Sequence, residues 1–272
     1  MTAAVTVGRV ARIRRVGEAG TLIDLIVPAS FSAPRAGQFV QIACNPASQF
    51  RLRRPFSICR WRAAQEGGEL GILFSVVGEG SRWLDARREG DEVDLIGPLG
   101  RSFLPVPGRF PILVAGGRGV APLLLLADEL SGIQADGLLL YGARDERAVF
   151  PTAGSPYPVQ RATLDGSIGS RGTVVDLLDE LIARGGIRAQ ASAVYGCGPT
   201  PMLAALSDRC ASHRMPVQVS LETIFGCGTG LCAGCAVPMK TGSDDPFGRY
   251  AFACSDGPIF DGTRVDWAGV RE

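Results

Sequence analysis

Four cysteines near the end of the chain place the strongest constraint on its structure. Cys227, Cys232 and Cys235 follow one another with the spacing C-x4-C-x2-C, and Cys254 stands alone further on. This is the spacing of a plant-type [2Fe–2S] site, in which four thiolates hold the iron. Glycines crowd the first three cysteines, so the backbone is free to wrap closely around a compact inorganic core. The spacing predicts that these four cysteines bind a [2Fe–2S] cluster.

Two other uses of these cysteines remain open at this point. A structural zinc site usually combines two C-x2-C or Cys/His pairs. Here only Cys232 and Cys235 form such a pair, and the single histidine, His213, lies outside the segment. Unligated cysteines in a packed core are the second alternative, although a buried helix or strand tolerates so many glycines poorly.

Length and charge limit the class of protein. The chain has 272 residues, enough for two or three small domains with their own cores. Its 28 basic and 27 acidic side chains nearly cancel, which argues against nucleic acid or an anionic membrane as a partner. We find no signal-peptide core and no run of about 20 apolar residues. We therefore expect a cytoplasmic protein, in which eight cysteines favour metal or redox chemistry over disulfides.

The first third of the chain reads as an antiparallel β-barrel. Between residues 5 and 97, short β-rich segments alternate with Gly, Pro and Asn. Among them stands Arg54-Pro55-Phe56-Ser57. An arginine pairs well with a pyrophosphate, a proline fixes the entry of a strand, and a serine hydroxyl can hydrogen-bond a flavin ring edge. An edge strand with a solvated arginine is the alternative for so short a motif.

A glycine-rich turn follows another strand-like segment and opens a helical pattern. It runs from Val77 to Leu84 and contains G-E-G-S. Free amide groups and the helix dipole favour a phosphate at such a position. We expect the turn and Arg54 to hold the same pyrophosphate. The residues expected to contact a flavin here are Phe74, Ser75, Val76, Gly80 and Ser81.

Together these two motifs resemble the FAD-binding domain of the ferredoxin reductase superfamily. The matching elements are R-P-x-S at 54–57 and G-x-G-[ST] at 78–81, where Ser81 replaces the threonine of many members. The segment G-P-L-G at 97–100 also resembles the end of that domain. The resemblance implies a FAD-binding β-barrel domain over residues 1–104.

The middle of the chain has the pattern of a nucleotide-binding α/β domain. After a proline-rich bridge at 105–111, strand and helix segments alternate, which predicts a parallel sheet with helices on both faces. A turn at 116–119 joins a strand to a helix, but Pro122 stands where a Rossmann fingerprint has its third glycine. The pattern G-G-x-G-x-A-P instead resembles the pyridine-nucleotide domain of the same superfamily.

A second turn falls at the same edge of this predicted sheet. C-G-P-T-P-M at 197–202 follows a strand, and open α/β sheets bind ligands at the carboxyl ends of their strands. It resembles the C-G-P-x-x-M segment of the superfamily, whose cysteine lies near the nicotinamide; a plain turn is the alternative. We expect an NAD-binding domain over residues 105–219. The nucleotide contacts would be Gly116, Gly117, Gly119, Cys197, Gly198 and Pro199.

Several further residues invite weaker hypotheses. Arg144 and Arg147 would suit the 2′-phosphate of NADP, although exposed arginines there more often belong to a solvated surface. His213 is expected to complement the dipole at a helix C-terminus. Glu222 would either carry a proton near the flavin or stabilise a turn. Cys59 would line the ring pocket, while two other cysteines, Cys44 and Cys210, would be packing residues.

The three segments form a redox chain. NAD exchanges two electrons as a hydride, a [2Fe–2S] cluster carries one, and a flavin can do both. Residues 220–272 would form the small [2Fe–2S] domain, and the whole chain would be an α+β multidomain protein. The sequence offers no candidate pair of a nucleophile and a base, so we assign no catalytic residue. The chain therefore suits an electron-transfer protein that connects NAD with a protein partner.

The order of segments and the motif S-L-E-T-I-F-G-C, with C-S-D-G-P-I-F after it, narrow the family further. They resemble the electron-transfer subunit of two-subunit, NAD-dependent (class 1B) dihydroorotate dehydrogenases. That resemblance implies an FMN-containing catalytic subunit as partner, a heterotetramer of two plus two subunits, and electron flow from FMN through the cluster and FAD to NAD⁺ in pyrimidine biosynthesis.

Other partners remain open on the sequence. A related electron-transfer subunit would serve a cytosolic hydrogenase, a sulfide dehydrogenase or a ferredoxin-NADP reductase. In a different class, a zinc-binding interaction module would carry a degenerate flavoprotein body.

Overall fold

A computed structural model describes residues 4–18, 20–44, 52–152, 154–240 and 249–270. Its helices are α1 (Glu79–Asp85), α2 (Val120–Gly132), α3 (Val174–Ala183) and α4 (Thr200–Ser212). Its strands are β1 (Ala4–Val16), β2 (Gly20–Pro28), β3 (Phe39–Ile42), β4 (Arg54–Ala64), β5 (Gly67–Phe74), β6 (Glu92–Leu99), β7 (Phe110–Gly116), β8 (Leu138–Ala143), β9 (Val159–Thr163), β10 (Ser170–Arg171), β11 (Ser192–Cys197), β12 (Val217–Ser220), β13 (Ala236–Pro238), β14 (Tyr250–Phe252) and β15 (Ile259–Asp261).

The first six strands close into the predicted antiparallel barrel. Their order around it is β1-β2-β5-β4-β3-β6, and every neighbouring pair is antiparallel. Alternate residues of β2, such as Ile23, Leu25 and Val27, point into the barrel and are fully buried. Because the strands close on themselves, the barrel leaves no unpaired edge.

The second sheet is largely parallel, as predicted for the middle of the chain. Its order is β10-β9-β8-β7-β11-β12-β15, with all pairs parallel except β12 with β15. Helix α2 packs on β7 and β11 and also against barrel strand β4, while α3 and α4 contact each other and cover β8, β9, β11 and β12. Such cover explains why β11 is buried along its whole length.

The strand order of this sheet reverses beside β7. From β7 the chain builds outward through β8, β9 and β10, and then returns to place β11 on the other side of β7. The carboxyl ends of β7 and β11 therefore border a crevice, which is where open α/β sheets bind their ligands. The two glycine-containing turns at 116–119 and 197–199 lie at this point.

The C-terminal segment is joined to this sheet at both ends. Strand β12 leads into the cysteine-rich loop, and β15 returns antiparallel to β12. Between them, β13 and β14 form a two-stranded ribbon that starts beside Cys235 and ends just before Cys254. The sequence did not predict β15. Through this strand the C-terminal segment also completes the sheet of the preceding segment. Across the described ranges, we find no helix long and apolar enough to cross a membrane.

Candidate functional site

A cavity of about 470 Å³ lies between the barrel and the start of the C-terminal segment. This volume is in the usual range for a small-molecule site. The predicted flavin residues come together in its wall, except that Val76 packs against the barrel core instead. Those in the wall are Arg54, Pro55, Phe56, Ser57, Phe74, Ser75, Gly80 and Ser81. The opposite wall consists of Ser220, Leu221, Glu222, Thr223, Phe225 and Pro258.

The turn before α1 is shaped by Ser81 and Gly80. The Ser81 hydroxyl accepts hydrogen bonds from the amides of Val77 (2.9 Å) and Gly78 (3.0 Å), so it stabilises the turn from inside. A Cβ atom on Gly80 would lie 3.0 Å from Cγ of Arg54. The glycine therefore lets the arginine lie directly against the turn. Arg54 and the turn are expected to lie this close if both bind the same pyrophosphate.

Replacing Ser81 tests this turn. Ser81→Ala leaves the two amides without their acceptor, and loss of such a cap typically costs about 1 kcal/mol. We expect FAD to bind roughly fivefold more weakly, because 1.4 kcal/mol is a factor of ten in a binding constant. Ser81→Thr keeps the hydroxyl and should retain near-normal affinity. FAD titration followed by flavin fluorescence measures both; equal affinity in all three proteins would contradict the role assigned to the turn.

A second cavity of about 670 Å³ opens at the crevice between β7 and β11. Its wall includes Gly116, Gly117, Gly119, Gly198 and Pro199, which is all of the predicted nucleotide contacts except Cys197. Cys197 is fully buried beneath the turn, and burial, followed by the charge of Glu222, raises its pKa. It is therefore a neutral thiol in this structure.

The two turns at this crevice pack directly on one another. A Cβ atom on Gly119 would lie 2.1 Å from the carbonyl oxygen of Cys197 and 2.6 Å from the amide nitrogen of Gly198. On Gly116 it would lie 2.5 Å from Sδ of Met202. No side chain fits at either position, which explains the requirement for glycine there.

The two cavities share part of their walls. Ser75, Val77, Arg118, Glu222 and Thr223 border both. Arg118 and Glu222 approach each other at 3.9 Å across this boundary, so Glu222 stabilises the junction of the nucleotide turn with the C-terminal segment. Within the described ranges, the buried hydroxyl of Thr223 has no hydrogen-bond partner. Nothing in the sequence marks Thr223 or the ion pair, because both arise from tertiary contact.

The first two cysteines of the C-terminal loop share a set of backbone donors. Sγ of Cys227 accepts hydrogen bonds from the amides of Thr229, Leu231 and Cys232 at 3.3–3.4 Å. Sγ of Cys232 accepts from the amides of Cys227 (3.3 Å) and Gly234 (3.4 Å). Burial alone would raise the pKa of Cys227, but the hydrogen bonds outweigh it and lower the pKa to about 6. The loop therefore favours a thiolate, the form that binds metal.

The other two cysteines form a separate pair. Sγ of Cys235 lies 3.2 Å from Sγ of Cys254, and the amide of Gly230 donates to Cys254 at 3.1 Å. Burial and then the hydrogen bond from Cys235 raise the pKa of Cys254 to about 12. Across the described ranges, no three His, Cys, Asp or Glu side chains gather around one point as for a single metal ion.

These residues fit an iron–sulfur cluster. Four thiolates are the usual ligands of a [2Fe–2S] centre, and two pairs with amide donors to their sulfurs suit a group with two iron ions. Glycines at positive φ, Gly228 (+74°) and Gly230 (+85°), turn the loop so that these amides face the sulfurs. Cys232 is exposed and Cys235 is buried, so the site spans from the surface to the interior.

The structure also shows where the remaining candidate residues lie. The prediction for Cys59 was wrong, because its side chain lies in the buried core instead of the cavity wall, and burial raises its pKa to about 12. Cys210 lies on the buried face of α4 and packs in the core, as predicted, and Cys44 is half-buried near Gly80. His213 caps the C-terminus of α4.

Comparison with known proteins identifies the family. Residues 222–266 match the iron-sulfur cluster binding domain of dihydroorotate dehydrogenase B. The dihydroorotate dehydrogenase B (NAD(+)) electron transfer subunit of Desulforamulus reducens is 38% identical over 85% of this chain and 86% of its own length. The chain belongs to this electron transfer subunit family. The subunit of Bacillus cereus strain Q1 is 37% identical over 82% of this chain and 84% of its own length.

A solved structure confirms the fold of this electron transfer subunit family member. The NADH-dependent reduced ferredoxin-NADP oxidoreductase aligns with a TM-score of 0.81, at 27% identity, over 96% of this chain and 90% of the matched chain. More distant ferredoxin reductase structures, such as that from Neisseria gonorrhoeae with bound FAD and NADP, align at a TM-score of 0.63 and 16% identity and share the fold. The barrel, the parallel sheet and the iron–sulfur segment are thus confirmed as the architecture of the chain.

Proposed function

We propose that this chain is the electron-transfer component of a dihydroorotate dehydrogenase that uses NAD⁺. It would take electrons from the FMN of a separate catalytic subunit, by way of a [2Fe–2S] cluster and FAD, and deliver them to NAD⁺ in pyrimidine biosynthesis. The observation that carries the proposal is the shared wall of the two cavities. Phe225, in the wall of the first cavity, leads from there into the cysteine loop. The family relationship supports the same function.

The chain's own residues would hold and orient the groups. When bound, FAD exchanges single electrons with the cluster and a hydride with NAD. Arg54 and the turn at Gly80 suit the pyrophosphate, while Pro55 and Ser57 form the cavity floor on β4. Leu221 and Pro258 cover the opposite side and limit access of water.

A contact between aromatic rings joins the flavin cavity to the cysteine loop. Phe39 of the barrel packs against Phe225 with ring centroids 4.9 Å apart. Phe225 lies two residues before Cys227. This contact fixes the distance between the cavity and the loop, and electron transfer depends on such a fixed distance because the carriers do not diffuse.

The charges beyond β8 favour NAD over NADP. In Rossmann sheets an acidic residue about 20 residues after the glycine turn meets the ribose 2′-hydroxyl of NAD. Asp145 follows β8 and pairs with Arg144 at 2.8 Å, which occupies that arginine. Asp145 accepts a hydrogen bond from Arg144, and Asp165 accepts hydrogen bonds from Ser167. These bonds lower the pKa of both groups, so both are carboxylates at neutral pH.

We therefore expect NADH to bind roughly tenfold more tightly than NADPH at low salt, since two carboxylates would repel a 2′-phosphate. The difference should shrink with added salt, because these charges are exposed and screened. Titration of the purified protein with each nucleotide at low and high salt measures it. Equal affinities at low salt would contradict this assignment.

The partner would bind at the surface of the cysteine loop. Leu231, in the middle of that loop, is 88% exposed, and the neighbouring Cys232 is exposed as well. A cluster held there would lie near the surface, where a partner's flavin could approach it. We further propose a heterotetramer of two chains of each kind and a cytoplasmic location, where free cysteines such as these remain reduced.

Co-purification tests the proposal. Expressed with an FMN-containing dihydroorotate dehydrogenase subunit from the same genome, the chain should form a stable complex with flavin and iron–sulfur absorption bands. The structural similarity to a ferredoxin-NADP oxidoreductase makes a ferredoxin-linked reductase the second candidate. A coloured protein that ignores the catalytic subunit but reduces ferredoxin would favour that candidate. A colourless protein containing zinc would contradict both.

A further inference from the structure

Gln41 is a buried glutamine whose side chain has no partner. It lies on β3 with 0% of its surface exposed. Within the described part of the chain, neither its Nε2 nor its Oε1 makes a hydrogen bond. Most buried polar side-chain atoms in proteins are paired, because an unpaired one loses its bonds to water without replacement. An amide with both ends unpaired therefore requires a specific explanation.

The position of Gln41 connects the barrel with the cysteine loop. Its neighbours Val40 and Ile42 point into the barrel core, so Gln41 faces outward. It pairs in register with Pro55, which lines the flavin cavity. Its amide lies against Gly228, the residue after Cys227. A Cβ atom there would be 2.2 Å from Nε2 and 2.6 Å from Cγ of Gln41.

Two features show that the loop is shaped to receive this amide. Gly228 has φ of +74° and leaves no room for a side chain, so the backbone approaches Gln41 as closely as possible. The amides of the loop already donate to sulfur, from Thr229 and Leu231 to Cys227. The Gln41 amide is a buried donor against this loop that still lacks an acceptor among the described residues.

We propose that Gln41 is a positioning residue whose Nε2 donates a hydrogen bond to the sulfur atoms of the cluster-binding loop when it holds its cluster, and so raises the reduction potential of the cluster. This inference rests on the proposed function, because it needs a cluster in the loop. Reduction adds negative charge, and a hydrogen bond to sulfur stabilises that charge; such bonds are known determinants of cluster potential. The potential would then be set in part by the barrel, beside the flavin.

Gln41→Met tests the inference, since Met has a similar length and offers no donor. In the cluster-loaded protein we expect the reduction potential to fall, shifting the one-electron equilibrium between flavin and cluster about tenfold, or ~59 mV. A redox titration followed by electron paramagnetic resonance of the reduced cluster measures it.

Gln38→Met is the matched control. Gln38 stands three residues earlier and is also buried, but its Oε1 accepts from the amide of Arg35 (2.8 Å) and its Nε2 donates to the carbonyl of Gly100 (2.9 Å). This substitution should lower the melting temperature and leave the potential unchanged. In cluster-free protein, Gln41→Met should differ from Gln38→Met in its effect on stability. It should be at least as stable as the original chain, because it removes an unpaired amide.

The outcomes separate this inference from the proposed function. An unchanged potential in Gln41→Met, with full cluster content, would overturn it. So would a change confined to the flavin spectrum, which would assign the amide to FAD instead. If the cluster does not load in Gln41→Met, a lower melting temperature of the cluster-free variant would also overturn it. If Gln41→Met lowers the potential but the protein does not accept electrons from dihydroorotate dehydrogenase, the role proposed for Gln41 would be supported. Only the proposed partner would be contradicted.

Discussion

Cys232→Ser should remove the [2Fe–2S] cluster while FAD stays bound. Cys232 is exposed, and its sulfur interacts with the amides of Cys227 and Gly234 inside the cysteine loop, outside the walls of both cavities. A serine oxygen is a poor substitute for a thiolate at an iron–sulfur centre. We expect iron content to fall close to zero, with flavin absorption and reduction of FAD by NADH retained. Iron analysis and visible absorption of the purified variant measure both.

Cys210→Ala provides the control for this variant. Cys210 is a fully buried cysteine of the sheet core, away from the loop. Its replacement should reduce stability by about 1 kcal/mol, as for other small core truncations, and leave iron content intact. If Cys232→Ser lost FAD together with the cluster, the loop would be needed for folding of the whole chain, in contradiction to separate binding of the two groups.

Gly119→Ala should slow the reaction of NADH with the flavin in a protein that still holds FAD and its cluster. The new methyl group would lie 2.1 Å from the carbonyl oxygen of Cys197, and a backbone atom of this kind cannot move without displacing its turn. Displacement by about 1 Å commonly costs a reacting pair roughly 100-fold in rate. We expect a loss of that size in flavin reduction by NADH, measured by stopped-flow absorption, with FAD and iron contents unchanged.

Gly132→Ala is the matched control for the glycine. Gly132 ends α2, and a Cβ atom there would meet nothing within 4 Å. Alanine also favours a helix by up to about 1 kcal/mol over glycine, so this variant should be as stable as the original or slightly more so. Normal flavin reduction in Gly119→Ala would show that the two turns do not need to touch for NAD to react.

Much of this architecture was predictable because its signals are local. Short β-rich segments between turns indicate the barrel strands. Glycines that follow strands indicate the two nucleotide turns. The four cysteines proposed as cluster ligands stand out in the sequence because ligand geometry restricts their spacing along the chain. In each case one short segment carries both the pattern and the chemistry.

The features that the sequence missed depend on contacts between distant segments. Strand β15 is only three residues long, and it becomes a strand by pairing with β12 across the cysteine loop. Gln41 looks like an ordinary residue of β3 until Gly228 is found against it. Cys59 was assigned to the flavin pocket because it follows Ser57 closely, but the register of β4 shifts between Ile58 and Arg60, and Cys59 packs into the buried core there.

Mixing this chain with its catalytic subunit, dihydroorotate and NAD⁺ is the most direct test of the proposed electron path. NADH should form at a rate that requires both subunits, and Cys232→Ser should abolish that rate while leaving oxidation of dihydroorotate by an artificial acceptor intact. Formation of orotate without NADH, by a mixture in which this chain carries its FAD and its cluster, would contradict it.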